Sequence, residues 1–121
     1  MNICVCEEDI LERKRIVRHI GGYYYGRHIP IRITEFDSIE LLAKSMVPSV
    51  ANIVLVSLKG DIGIEAVSNV RKLCGSCALI IVSDTERYGI EAYHLQVADY
   101  LLKPVCYSQL CKALTRCELL V

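Results

Sequence analysis

Any excess of charge is missing from this 121-residue chain, because 14 Lys and Arg balance 14 Asp and Glu. That balance argues against holding nucleic acid by bulk electrostatics. No apolar run is long enough to span a bilayer. Met1 leads straight into a strand-like segment, without the basic start and apolar core of a signal peptide, so a cytoplasmic protein without a membrane anchor is expected. Internal repeats and low-complexity linkers are absent too, and the length is that of one domain, residues 1–121. Cysteine is not scarce, but the count of seven is odd and scattered, which excludes a secreted disulfide framework. Cys4 and Cys6 fall in an apolar strand, as small buried hydrophobes do. Cys74 and Cys77 have thioredoxin-like spacing. They end a helix, however, where the redox motif opens one, and a single pair cannot complete a zinc site.

What is present is an alternation of strand and helix, five times over. Ile3-Cys4-Val5-Cys6 is a continuous apolar run, as in a strand buried on both faces. A helix follows from about Ile10, with Ile16, Val17, Ile20 and Tyr24 at helical spacing and Arg13, Lys14 and Arg18 on the wet side. It is expected to run through Gly21 and Gly22 to the Tyr23–Tyr25 cluster and stop at Gly26. Residues 31–36 alternate as a strand. Asp37 or Ser38 then caps a helix with Leu41, Leu42 and Met46 as its stripe, closed by Pro48. Residues 52–57 form the most apolar, hence central, strand. A helix over 63–73 faces Ile64, Val67, Val70 and Leu73 inward. Residues 78–83 form the fourth strand and 86–95 a short helix. Residues 98–102 form the fifth strand, and a last helix over 107–120 shows Leu110, Leu114 and Cys117 at i, i+4 and i+7.

Five such units with short connections predict an α/β fold. It is a single doubly wound, five-stranded parallel sheet with helices on both faces, and flavodoxin-like order 2-1-3-4-5 is the natural expectation at this length. In such a sheet the carboxyl ends of strands one, three, four and five gather Glu7, Glu8, Ser57, Ser83 and Lys103 at one edge. Two adjacent carboxylates are the hard-oxygen ligands that magnesium takes. A hydroxyl and an ammonium opposite them would grip phosphoryl oxygens. Pro104 makes the preceding peptide bond a candidate for the cis form.

Two runs carry a resemblance: Ile3 through Asp9, and Ser83-Asp84-Thr85-Glu86-Arg87-Tyr88-Gly89-Ile90-Glu91-Ala92-Tyr93 through Ala98-Asp99-Tyr100-Leu101-Leu102-Lys103-Pro104. Over its full length the chain resembles the receiver domain of two-component response regulators, closest to the LytTR-type branch. The resemblance implies a regulatory module of a phosphorelay, not an enzyme. It implies a histidine kinase or other signalling protein as partner, and DNA contact only through a separate domain of a longer transcription regulator. By position, Glu7 and Glu8 match the metal-binding acids, Ser83 the switch hydroxyl, Tyr100 the switch aromatic, and Lys103 the phosphate-pairing lysine. Tyr100 is equally readable as a half-exposed strand aromatic.

The acceptor aspartate is what this chain lacks: Ser57 stands in its place. The loop that follows, residues 58–62, looks shorter than the family's and has no proline. Both departures imply a pseudo-receiver that has lost aspartyl phosphorylation, with no cofactor beyond weak Mg2+. With one carboxylate gone, Lys103 and Lys59 can neutralise Glu7 and Glu8 without metal, so a Glu–Lys pair is expected to close the site. The alternatives are a phosphorylatable receiver using Asp61 or Ser57, and, from another class, a flavodoxin-like nucleotide or flavin binder. The latter lacks its Ser/Thr/Gly-rich phosphate loop, since the first strand ends in acids. A weak homodimer is expected through helix 4, strand 5 and helix 5, with Arg87, Glu91, Asp99, Lys112 and Arg116 as candidates for intersubunit pairs.

Overall fold

Three strands are apolar at nearly every position, and a strand of that kind needs cover on both faces. The computed structural model, which describes residues 1–59 and 64–118, puts those three inside the sheet. They are β1 (Asn2–Cys6), β3 (Ile53–Leu58) and β4 (Ala78–Ser83). The less apolar β2 (Arg32–Phe36) and β5 (Asp99–Leu102) form the edges. All pairs are parallel and the order is β2-β1-β3-β4-β5, with the most apolar strand in the middle.

Side chains alternate across each strand, so successive residues serve different layers. Ile3, Val5, Ile53, Leu55, Ile80 and Val82 pack under α1 (Ile10–Tyr25) and α5 (Tyr107–Glu118). Cys4, Cys6, Val54, Val56, Leu79 and Ile81 pack under α2 (Ile39–Lys44), α3 (Ile64–Leu73) and α4 (Gly89–His94). The two strand cysteines behave as hydrophobes: burial pushes the Cys4 thiol up to about 11 and the Cys6 thiol to about 12. Leu110, Leu114 and Cys117 form the buried stripe of α5 as expected.

The departures from expectation have local causes. Helix α1 does run through both glycines, but the left-handed residue that ends it is His28 (φ 57°), and Gly26 stays right-handed. The Ile29 amide donates to the Tyr24 carbonyl and the His28 amide to that of Tyr25, both at 3.1 Å, which is a Schellman closure with His28 at its turning point. Arg13 is not on the wet side. Its guanidinium lies against Glu35 (3.0 Å) and donates to the Glu7 carbonyl at 2.8 Å. Leu41 and Met46 are exposed and only Leu42 of that trio is buried, because Ser45 caps α2 early. Pro48 opens a short 3-10 turn over Val47–Val50 in place of closing α2. Leu73 also faces outward. Helix α4 starts at Gly89, later than expected: the Ser83 hydroxyl takes the Thr85 amide and the Thr85 hydroxyl takes the Arg87 amide, both at 3.2 Å. Such side-chain turns compete with helix at these positions.

Candidate functional site

Parallel register brings three strand ends to one edge. Cys6 lies opposite Val56 and Phe36, and Leu58 opposite Ser83. The chain leaving β1 stays stitched to β2 through the Glu7 amide and the Phe36 carbonyl (3.0 Å), which holds Glu7 one step past Cys6. Its side chain turns inward and the residue is only 5% exposed. Asp9 caps α1 by accepting from the Leu11 and Glu12 amides at 2.9 and 3.3 Å.

A buried carboxylate must be matched by donors, and three groups answer Glu7. The Ser57 hydroxyl donates to Oε1 at 3.0 Å. The Lys103 ammonium stands 3.7 Å from the same oxygen, an ion pair just beyond hydrogen-bond reach. The Asp9 amide donates to Oε2 at 3.3 Å. Lys103 is held at the strand end by its own amide, which continues the ladder to the Ser83 carbonyl (2.8 Å).

The structure therefore unites Glu7, Ser57 and Lys103, and the expected Glu–Lys pair is between Glu7 and Lys103. Glu8 sits on the rim, exposed. Lys59 is exposed as well and lines the same cleft. Asp61 and most of the 58–62 loop lie outside the described residues. Ser83 and Tyr100 go elsewhere. Ser83 is wholly buried, with its hydroxyl turned to the Thr85 amide. Tyr100 donates its hydroxyl to the Thr85 carbonyl. Ser83 and Tyr100 thus hold the two backbone poles of one residue, Thr85. Sequence reasoning missed Thr85, Asp9 and Arg13. For Thr85 and Asp9 a local signal existed, a Ser-x-Thr turn and an acid one residue before a helix; for Arg13 there was none.

The cleft above these groups is open. Besides Glu7 its walls carry Glu8, Asp9, Glu12, Asp37, Glu40 and Asp84, against the ammoniums of Lys59 and Lys103. The field favours cations and repels phosphate esters. The side chains do not fit a magnesium ion as they stand. Oε1 of Glu7 already meets a hydroxyl and an ammonium, Oε2 an amide, and position 57 offers a hydroxyl and not a carboxylate. Among the described residues no three His, Cys, Asp or Glu side chains gather as a metal site. Among them also, no helix is long and apolar enough to cross a membrane.

No family model matches the chain. Among curated proteins it is similar to the positive alginate biosynthesis regulatory protein of Pseudomonas aeruginosa. The two are 24% identical over 119 residues, covering 96% of this chain and 46% of that protein. The chain thus spans about half the length of that relative. Among solved structures it superposes on the response regulatory domain of the protein mrkE from Klebsiella pneumoniae (TM-score 0.80, 18% identity, 98% of this chain and 96% of that one). It also superposes on the REC domain of AraT, a response regulator from Geobacillus stearothermophilus (TM-score 0.77, 22% identity, 98% and 94%). A third likeness is to a CheY-like response regulator protein from Mesorhizobium loti (TM-score 0.76, 18% identity, 96% and 97%). The fold is that of response-regulator receiver domains.

Proposed function

We propose that this chain is the receiver domain of a two-component response regulator, working in the cytoplasm as a regulatory module and not as an enzyme, and that it signals without a phosphoryl group on residue 57. The observation that carries the second half is the bond from the Ser57 hydroxyl to Glu7. An acyl phosphate forms on a carboxylate. A serine hydroxyl yields a phosphate ester, which lacks that lability, and here the hydroxyl is spent as a donor to an acid. The Glu7–Lys103 pair supports the same reading, because the lysine that would meet a phosphoryl group already faces a fixed carboxylate. The acidic cleft favours this reading over a flavin or nucleotide binder, whose phosphates it would repel, so the purified protein should be colourless and free of nucleotide.

The test is incubation with acetyl phosphate and magnesium followed by intact mass. No change is expected. A stable gain of one phosphoryl group defeats the reading, and mapping it to Ser57 or Asp61 would establish a receiver with an unusual acceptor.

The partner classes we infer are a histidine kinase or another signalling protein, with DNA reached only through a further domain, as the LytTR-type resemblance and the greater length of the curated relative suggest. We place a weak homodimer on α4, β5 and α5, where Ile90, Tyr93 and Leu102 are exposed. Asp99 and Arg116 pair with each other within the chain, which leaves the apolar residues as the larger contribution. Sedimentation should show concentration-dependent association indifferent to phosphodonors. A strict monomer at high concentration and low salt removes the dimer.

A further inference from the structure

The Cys74–Cys77 pair takes no part in the cleft. The structure sets the two sulfurs against each other across the turn from α3 to β4, with Cα atoms 5.6 Å apart, inside the range a disulfide bridge spans. Its surroundings are built around it. Arg71, one turn back on α3, donates through Nη1 to the carbonyls of Cys74 (3.3 Å) and Cys77 (2.9 Å). Through Nη2 it reaches the carbonyl of Gln96 at 3.4 Å. Gln96 is a left-handed residue (φ 55°) in the turn from α4 to β5. One guanidinium therefore spans the cysteine turn and the turn that aims β5.

Cys77 also opens onto a groove of about 770 Å³ whose far wall includes Ala92, Tyr93 and Tyr100. Cys77 is itself 6% exposed, so the step proposed below takes its reagent through this groove to a largely covered residue. The other five cysteines stand outside this pair.

We propose that Cys74 and Cys77 form a reversible redox site, oxidised by a low-molecular-weight disulfide of the glutathione class, and that Arg71 transmits its state to the α4–β5 turn. In the oxidising step the Cys77 thiolate attacks one sulfur of oxidised glutathione and releases one glutathione thiolate. The Cys74 sulfur then displaces the second glutathione from the mixed disulfide and closes the Cys74–Cys77 bond. Two protein thiols lose two electrons and two protons, and one glutathione disulfide becomes two thiols. In a compartment kept reducing, such a bridge is transient, which suits a sensor. Opening it frees the two carbonyls that share Nη1 from their fixed spacing, and the hold of Arg71 on Gln96 loosens with them.

The test uses the whole chain. After equilibration with oxidised glutathione or with dithiothreitol, alkylation under denaturing conditions should count five thiols in the first case and all seven in the second. Cys77→Ser should give the same count in both. Hydrogen exchange across residues 96–98 should slow several-fold on oxidation. Arg71→Lys keeps the charge but loses the fork; it should retain the change in thiol count and lose the exchange difference. A count of seven in both buffers overturns the proposal. So does exchange at 96–98 that ignores oxidation, or a difference that survives Arg71→Lys.

Discussion

Ser57→Asp adds a carboxylate beside Glu7, and its cost can be worked from the cleft. The Ser57 hydroxyl is a donor 3.0 Å from Glu7 Oε1. Losing a hydrogen bond to a charged acceptor costs about 1.5–3 kcal/mol. The new carboxylate faces Glu7 at roughly 4 Å, where like charges repel by about 4 kcal/mol at an effective dielectric of ~20. Lys103, 3.7 Å from Glu7, cancels a large part of that repulsion. The net loss should be about 2–4 kcal/mol without metal, a fall in melting temperature of roughly 8–15 °C for a domain of this size. A dication between the two acids removes the repulsion, so millimolar magnesium should raise the melting temperature of Ser57→Asp and leave the parent nearly unmoved. Ser57→Ala, which removes the donor without adding charge, should lose the hydrogen-bond part alone, about 1.5–3 kcal/mol, and ignore magnesium. Scanning calorimetry with and without magnesium reads all three proteins. If Ser57→Asp melts with the parent in metal-free buffer, the two side chains do not face each other and the reasoning fails. If it is destabilised and magnesium does not rescue it, the altered stretch at 58–62 has disabled the site independently of residue 57.

Two further substitutions test the frame around the site. Glu35 is held by the Lys14 ammonium (2.8 Å) and the Arg13 guanidinium (3.0 Å), which keep its carboxyl below the ordinary value, Lys14 most of all. A depressed folded-state value contributes stability at neutral pH that is lost as the pH falls through it. Glu35→Gln should therefore cost about 0.5–1 kcal/mol at pH 7, and urea titrations should show the gap closing as the pH drops below 4.5; a gap that persists in acid refutes the pairing. Tyr23 is buried with its hydroxyl between Thr115 (2.9 Å) and Glu118 (3.0 Å) of α5, so Tyr23→Phe should lower the urea midpoint by the equivalent of about 1–2 kcal/mol. No shift in the midpoint would show that these bonds do not join α1 to α5 in solution.

Continuous apolar runs made the sheet legible. β4 occupies Ala78–Ser83 as read from the residues alone, and β3 is central because every residue in it but Ser57 is apolar and buried. Helix α1 was readable through Gly21 and Gly22 only by trusting burial over propensity. Each glycine costs about 1 kcal/mol in a helix. The two tyrosines beyond them are each 99% buried against the sheet, and packing of that kind outweighs the local penalty. The helix ends at Tyr25 with Gly26 as its cap, as read, but the left-handed turn expected of that glycine is taken two residues later by His28. There the choice is made by where two amides find carbonyls, and residue type only biases it.

The same division runs through the site. Glu7, Ser57 and Lys103 were legible because a parallel sheet of known order places strand ends side by side, so position along each strand is enough. What each group does was less legible, because it depends on partners without a sequence signature. Arg13 steadies the acidic loop through a main-chain oxygen, and Thr85 receives both Ser83 and Tyr100 through its own amide and carbonyl. With those poles occupied, Ser83 and Tyr100 are tied to the β4–α4 loop and not to the cleft. Glu7, Ser57 and Lys103 meanwhile satisfy one another. A change in the cleft has a short route to Thr85: the Lys103 amide donates a hydrogen bond to the carbonyl of Ser83 (2.8 Å), two residues before Thr85. The proposed signalling without a phosphoryl group predicts that a partner drawing the Lys103 ammonium away from Glu7 displaces Ser83, and with it Thr85 and Tyr100.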